Sequence, residues 1–540
     1  RPTLGSVSLV ADIDPDFVDP SRQNIRLAIE NGADQPTRAT SAWFEHSIFQ
    51  VALTAVLPEA AHRPLRLDRV QPSYRFRDWL EYPAMGLNCG VEQAASAPAT
   101  VTLRTTWAPR YTQPRIDPCE IPGVPVRYDA LASEATALEE LLALPDAYDR
   151  WIAEQHAVDA GAGLHADIAD QERVAHATDI TAYARESRYI RDGIELLISA
   201  RDAHRAAATA SGADRDRLTR EAGPYRAWLH TNESFRRYGG TRFTSWRLFQ
   251  LAFILAHLPT LVSRMPEYAD RFDPFRDELS ASLLYFPTGG GKSEAFFGLL
   301  IYNLFLDRLR GKNRGVTALV RYPLRLLTLQ QARRLMRILV QAELVRHAVG
   351  AGTWPFEIGF WVGSGNTPNR VAQGFGGVPM VTAAAHANDH ALLNPPDGAS
   401  TAAADARRRS SRYLEALLSY DKLRACPACG ANTGMRKYRD QAGRIGIVCF
   451  NDVDCAWNQA FPPNPVRVPL PFLLTDDTIY QRAPSVVLGT IDKLALIGQH
   501  DRTINALAGM FGAARYVDPH NGHLAMPRSA AQLHASEDAG

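Results

Sequence analysis

Lysine is scarce in this chain: nearly all of its 59 basic residues are arginine, and 58 acidic residues leave a formal net charge of only +1. No global positive field therefore advertises a nucleic-acid partner, although a balanced chain can confine its basic residues to one groove. The arginine bias, with abundant alanine, reads as a preference for GC-rich codons and hints at a bacterial source. Long apolar runs are also missing. None approaches the roughly 18 to 20 uninterrupted residues that span a bilayer. The most apolar stretch, 248–262, is broken by Gln250, His257 and Pro259 and reads as a buried helix. The N-terminus lacks the charged and then apolar pattern of a signal peptide, and its start at Arg1 fits a piece of something longer. The expectation is a cytoplasmic chain without a membrane partner. Cysteine is sparse, with four of six residues gathered between Cys426 and Cys455. Cys89 and Cys119 read as buried small side chains rather than a disulfide in a reducing compartment. No internal repeat is visible.

What is present is a soluble, globular balance: 540 residues, 46% hydrophobic and 22% charged, enough for two to four domains. Residues 1–127 carry short alternating apolar stretches separated by Pro, Gly, Asn and Asp, which predicts a β-rich N-terminal domain. Residues 128–240 change to Ala, Leu, Glu and Arg at helical spacing and predict a helical region. From 241 to 512 strands and helices alternate: helix over 245–263, strand over 282–286, helix over 293–310, strand over 316–320, helix over 326–345 and strand over 357–362. That alternation implies βαβ units and a parallel sheet, hence an α/β fold. A zinc-ribbon insertion is expected within it at 411–467, and an irregular tail at 513–540.

A phosphate-binding loop needs a strand, a glycine turn and a helix whose N-terminus faces the anion. Leu283 to Phe286 reads as the strand, Gly289, Gly290 and Gly291 as the turn, and Ser293 onward as the helix. In the segment Phe286-Pro-Thr-Gly-Gly-Gly-Lys-Ser-Glu-Ala295, Lys292 would reach the β- and γ-phosphates of ATP and the Ser293 hydroxyl would ligate Mg²⁺. Thr288 and Glu294 complete the expected lining. The first position is Phe286 where the strict pattern has Gly. About forty residues upstream, Arg247 and Gln250 form an Arg-x-x-Gln pair, and a glutamine amide can both donate to and accept from an adenine edge.

Val320 to Gln331 runs from a strand end through Pro323 into a helix, which aims backbone N–H groups and Arg325 at a phosphate, with Arg321 beside it. Phe356 to Gly365 is a strand ending in glycines, and Gly363 either lets a main chain approach closely or is an ordinary strand-end turn. Pro484 to Lys493 is a strand followed by Gly-Thr and a helix, placing Thr490 and Lys493 near a backbone. Asp476-Asp477 is rejected as a Walker B acid because only twelve residues separate Asp477 from Thr490, and a parallel crossover wants a helix of roughly a dozen residues. The expectation is therefore a chain that binds ATP but lacks Walker B and a second motor domain.

Cys426-Pro-Ala-Cys429-Gly430 and Cys449-x5-Cys455, nineteen residues apart, approximate a zinc ribbon in which two thiolate pairs converge on one structural Zn²⁺. A redox Cys-x-x-Cys would not need the second pair.

Taken together, these segments resemble superfamily 2 helicases, in which Arg-x-x-Gln reads adenine, and more closely the helicase family of bacterial DISARM anti-phage systems. The resemblance covers roughly 240–512 and implies a RecA-like P-loop motor domain of an ATP-dependent DNA helicase or translocase. It also implies DNA with a single-stranded portion and the partner subunit DrmB. Two other classes stay open: a non-catalytic, nucleotide-regulated DNA-binding module, and an RNA-directed superfamily 2 helicase.

Overall fold

The computed structural model describes residues 7–16, 20–33, 47–66, 81–108, 119–162, 166–284, 290–322, 325–362, 422–438, 444–462, 467–495, 504, 507, 509–512, 516–517 and 524–525. The chain divides into two compact units, one formed by Arg1–Asp117 with Ala147–Ser187, the other by Pro118–Asp146 with Arg188–Gly540.

In the first unit the alternating segments form antiparallel strands. β1 (Val7–Pro15) pairs with β2 (Gln23–Asn31), Leu9 opposite Ile29 and Ile13 opposite Ile25. Because side chains alternate along a strand, this register puts the odd-numbered apolar residues of both strands on one face. β3 (Thr54–Pro58) is followed by the short pair β4 (Leu65–Arg66) and β5 (Glu81–Tyr82), then β6 (Gly90–Ala94) and β7 (Thr100–Thr106); β3, β7 and β6 make a three-stranded sheet in that order. Cys89 is half-buried, and Cys119, in the loop after 118, is exposed and free. The expectation that both are buried is corrected.

Helices follow: α1 (Tyr128–Leu131), α2 (Ala143–His156), α3 (Ala166–Ala207), α4 (Gly212–Glu221), α5 (Gly223–Gly239) and α6 (Leu248–Val262). α5 starts at a proline near its first position, where the missing N–H is harmless, and stops at Gly239-Gly240. Tyr128, Phe235 and Trp246 cluster, Tyr128 edge to face with Trp246 and Phe235 tilted against both, and the Trp246 indole donates to the buried Asn232 amide at 2.8 Å. With the backbone bond from Trp246 N–H to Val126 O at 2.9 Å, this fixes where α6 begins.

α7 (Lys292–Leu309) and α8 (Arg325–Val349) come before and after the first strand, in chain order, of a parallel sheet. Its strands are β8 (Ala318–Tyr322), β9 (Ile358–Trp361), β12 (Phe472–Leu473) and β13 (Val486–Thr490), in the order β12-β9-β13-β8. β13 is the last of these four in the chain yet lies between β8 and β9, and its five residues are all buried. Such a run of Val and Leu is what a strand covered on both faces requires. The hairpin β10 (Thr433–Tyr438) and β11 (Arg444–Cys449) interrupts the sheet between β9 and β12. The twelve residues 474–485, including the helix Asp476–Arg482, carry the chain from β12 to the parallel β13. A dozen-residue helix is therefore not needed for that crossover. Thr475 caps the short helix by accepting from Thr478 N–H, and Ala483, at φ 47°, ends it.

The strand expected over 282–286 is not formed in its described part: Ser282, Leu283 and Leu284 join no ladder, and Leu283 is 90% exposed. Without a ladder partner, apolar content alone does not make a strand. Among the described residues no helix is long and apolar enough to cross a membrane.

Candidate functional site

Where 290–291 meets α7, Gly291 takes φ +90°, and a side chain there would strike the Gln250 amide at 2.7 Å. Both reasons restrict the position to glycine. Gly291 is the N-cap of α7 and supplies no side-chain cap; in the first turn the Glu294 N–H donates to Gly291 O at 3.2 Å. Lys292 and Ser293 open that turn and are half-buried. Thr288 and Gly289 lie outside the described residues, as does the rest of 285–289.

The Arg-x-x-Gln pair meets this turn. Arg247 Nη1 donates to Gly290 O at 2.8 Å, and Gln250 Nε2 donates to Gly291 O at 2.8 Å. Gln250 Oε1 accepts from the Arg247 backbone N–H at 2.9 Å, so both ends of the amide are engaged. The two side chains expected to read adenine here hold the loop itself. Glu294 is paired with Arg334 of α8, which also donates to Gln331 at 3.3 Å. That pair ties the start of α7 to the first half of α8.

Because the four strands are parallel, the ends of β8, β9, β12 and β13 share one edge of the sheet. In open α/β sheets ligands bind along this edge, where strand order reverses. Arg321 is exposed on β8, next to Tyr322. Pro323 and Gly363 lie outside the described residues, and Arg325 opens α8. Thr490 ends β13, 1% exposed, and its hydroxyl has no hydrogen-bond partner among the described residues. Lys493 is not presented to solvent. Its Nζ lies 2.6 Å from Asp476, with the two side chains 11% and 13% exposed. Burial raises the Asp476 carboxyl above its usual range, opposed by Lys493. The motif residues at 476 and 493 thus answer each other, a pairing that neither motif shows in sequence.

The cysteine cluster forms a second site. The sulfurs of Cys426, Cys429, Cys449 and Cys455 all lie within 4.8 Å of one another. Cys426 to Cys455 is 3.8 Å and Cys429 to Cys449 is 3.6 Å, far beyond a disulfide. Tetrahedral zinc with bonds of ~2.3 Å sets its sulfurs about 3.8 Å apart, so this donor set fits such an ion. Gly430 N–H closes the knuckle turn on Cys426 O at 2.8 Å. Burial pushes the Cys426 thiol up and the Cys449 thiol up to about 11. A metal ion must therefore displace protons as it binds. The module docks on α8 through rings: Phe461 lies 4.6 Å from both Trp457 and His347. Arg444 of β11 reaches Glu357, just before β9, at 3.6 Å.

The chain is 30% identical over 330 residues to the DISARM protein DrmA of Bacillus paralicheniformis, an alignment covering 55% of this chain and 25% of that protein. Over that stretch the chain is similar to DrmA. It spans about a quarter of the length of that DrmA, and no family model matches it. DrmA similarity, a mixed α/β fold with a parallel sheet, and four convergent thiols able to hold a metal ion such as zinc thus occur in one chain.

Proposed function

We propose that this chain is the nucleotide-binding part of an ATP-dependent DNA helicase or translocase in a bacterial, cytoplasmic, DISARM-like anti-phage system. The observation that carries the reading is the placement of Gly290-Gly-Lys-Ser293 at the uncapped N-terminus of α7, tied by Glu294 and Arg334 to α8 beside the parallel sheet. The similarity to DrmA supports the system to which it is assigned.

In this reading the sheet is the core of a RecA-like motor domain. Backbone N–H groups of Gly291 to Ser293 and the Lys292 ammonium would hold the β- and γ-phosphates, and the Ser293 hydroxyl would hold Mg²⁺. ATP bound there supplies a phosphoanhydride whose cleavage drives motion along DNA. Arg321, Pro323, Arg325, Gly363 and Thr490 would be the contacts to the DNA backbone. Lys493 joins them only if its pairing with Asp476 opens. Zn²⁺ on the four thiolates would be structural, holding an insertion too small for its own core. DrmB would be the partner subunit.

The test is ATP hydrolysis by the complete protein with and without DNA. Lys292→Ala is expected to reduce DNA-stimulated hydrolysis to background, and an unchanged rate overturns the motor reading. Stimulation by RNA of equal length in preference to DNA would reassign the substrate.

A further inference from the structure

A chain with a net charge of only +1 can hold a strong positive field only where its acidic residues are missing. Two long stretches are free of them. No Asp or Glu lies between Glu233 and Glu267, and none lies between Asp307 and Glu343. The segment 422–438 has none either. All three stretches meet around the end of α5 and the exposed side of α8.

α5 closes on Arg236 and Arg237, both exposed, and packs against α8. Between Thr328 and Val340 of α8 the exposed residues are Gln330, Arg333 and Arg337, which recur at helical spacing and form one stripe. Arg242, in the link from α5 to α6, is also exposed, and Tyr238 lies within electrostatic reach of Arg242, Arg334 and Arg337 together. Arg333 Nε donates to Lys422 O at 3.0 Å, so the start of the 422–438 segment, with the exposed Arg424, meets α8 at the same stripe.

The carboxylates at this surface are already engaged. Glu233 is shared by Arg236 at 2.6 Å and Arg237 at 2.7 Å, and Glu294 is paired with Arg334. Asp129, which also acts on Arg236, is held by Arg127 at 2.7 Å. Among the described residues the Arg242 and Arg337 side chains have no ion pair or hydrogen bond, and Arg242 lies over the Phe243 ring at 5.6 Å.

We infer that this surface binds the phosphate backbone of duplex DNA, as a contact separate from Arg321, Arg325 and Thr490. Guanidinium groups mounted on packed helices keep a fixed spacing and take phosphate oxygens through paired N–H groups, which positions a duplex without reading its bases. A surface for single strands adds exposed rings on which successive bases stack. Here Phe243 is the one exposed ring among the described residues, so the surface offers charge to a backbone rather than faces to bases. The choice of DNA as the polyanion rests on the reading proposed above.

Duplex binding by the complete protein is measured by fluorescence anisotropy from about 50 to about 200 mM salt, a range in which phosphate contacts register as released counterions. The variants are Arg242→Gln with Arg337→Gln, and a quadruple that adds Arg333→Gln and Arg424→Gln. Arg215→Gln with Arg217→Gln removes the same charge as the double variant from the exposed surface of α4, and Arg321→Ala reports on the motif residues. Each lost phosphate contact should flatten the plot of log affinity against log salt by about 0.9. The double variant is expected to flatten it by roughly 1 to 2, and the quadruple by roughly 3 with at least about tenfold weaker binding, while the α4 pair leaves both unchanged. A slope within about 0.5 of wild type in the quadruple, with Arg321→Ala still weakening binding, overturns the surface and leaves the DNA reading standing. An equal loss in the α4 pair reduces the effect to net charge and also overturns it. If wild type binds no DNA, the DNA reading falls and this surface with it. Displacement of the duplex by poly-glutamate at lower concentration than by unlabelled duplex reassigns the surface to an acidic protein. The double variant removes no hydrogen bond or ion pair of the described fold, so it carries the decision by the same slope criterion should the quadruple fail to fold.

Discussion

At the amino edge of the parallel sheet a network of buried charges joins the approaches to the strands, whereas the carboxyl edge sets one buried pair, Asp476 with Lys493, beside an unmatched hydroxyl and an exposed arginine. Before β8, the buried Asp307 accepts from Arg310, Lys312 and Thr317. Arg308, 3% exposed, donates to Trp354 O at 3.0 Å, Lys312 O at 2.8 Å and Ser485 Oγ at 2.8 Å, joining the approaches to β8, β9 and β13. Before β9, Glu343 and Arg346 form a two-pronged pair at 2.7 and 2.8 Å, and Glu343 also accepts from Phe356 N–H at 2.8 Å. Arg482 lies 2.6 Å from Glu357. The other edge has the unmatched hydroxyl of Thr490 and the exposed Arg321. The same strands thus begin at a face sealed mainly by buried charge pairs and end at one where the buried Thr490 hydroxyl stays unmatched and Arg321 is exposed. A buried pair supports a single arrangement of the chain, while an exposed arginine at a strand end is open to an anion.

The largest effect expected to sharpen this contrast is loss of metal. Apparent zinc-binding energies in small zinc modules are of order 10 kcal/mol. Cys455→Ser, or a strong chelator, should release about one zinc per chain and abolish amide protection over 444–449. Zinc content unchanged in the variant would remove Cys455 from the metal site. Because Arg444 reaches Glu357, protection at the amino edge should weaken next, ahead of that at the carboxyl edge.

Glu343→Ala comes second. It leaves the Arg346 guanidinium buried without its carboxylate, which typically lowers stability by about 3 to 5 kcal/mol. Denaturant unfolding measures this, and a loss below about 1 kcal/mol would mean that the amino edge is not sealed as described.

The smallest effect has the opposite sign. Thr490→Val swaps an unmatched buried hydroxyl for a methyl group of similar shape, so stability should hold or rise by up to about 1 kcal/mol, while DNA binding weakens. Destabilisation would show that the hydroxyl has a partner within the fold, and the two edges would then be alike.

Much of this was legible before any coordinates. The runs at 318–322, 358–361 and 486–490 are apolar over short lengths and lie between helical periods, so their strand character is local. The four thiols declare themselves by residue type and spacing. Leu283 misled because an apolar run becomes a strand only beside a partner. The pairing of Lys493 was not legible because its partner, Asp476, belongs to another motif.

By itself, then, the sequence determined the secondary-structure period, the Gly-Lys-Ser turn at the head of a helix, and which cysteines converge. These rest on backbone preference and side-chain chemistry, which neighbours in the chain suffice to express. Tertiary structure alone decided that β13 enters between β8 and β9, that Gln250 of α6 bonds Gly291 O, and that Asp476 takes Lys493. Each of these joins residues far apart in the chain. Only packing sets such distances, because a hydrogen bond or ion pair forms once burial has brought its two ends within reach.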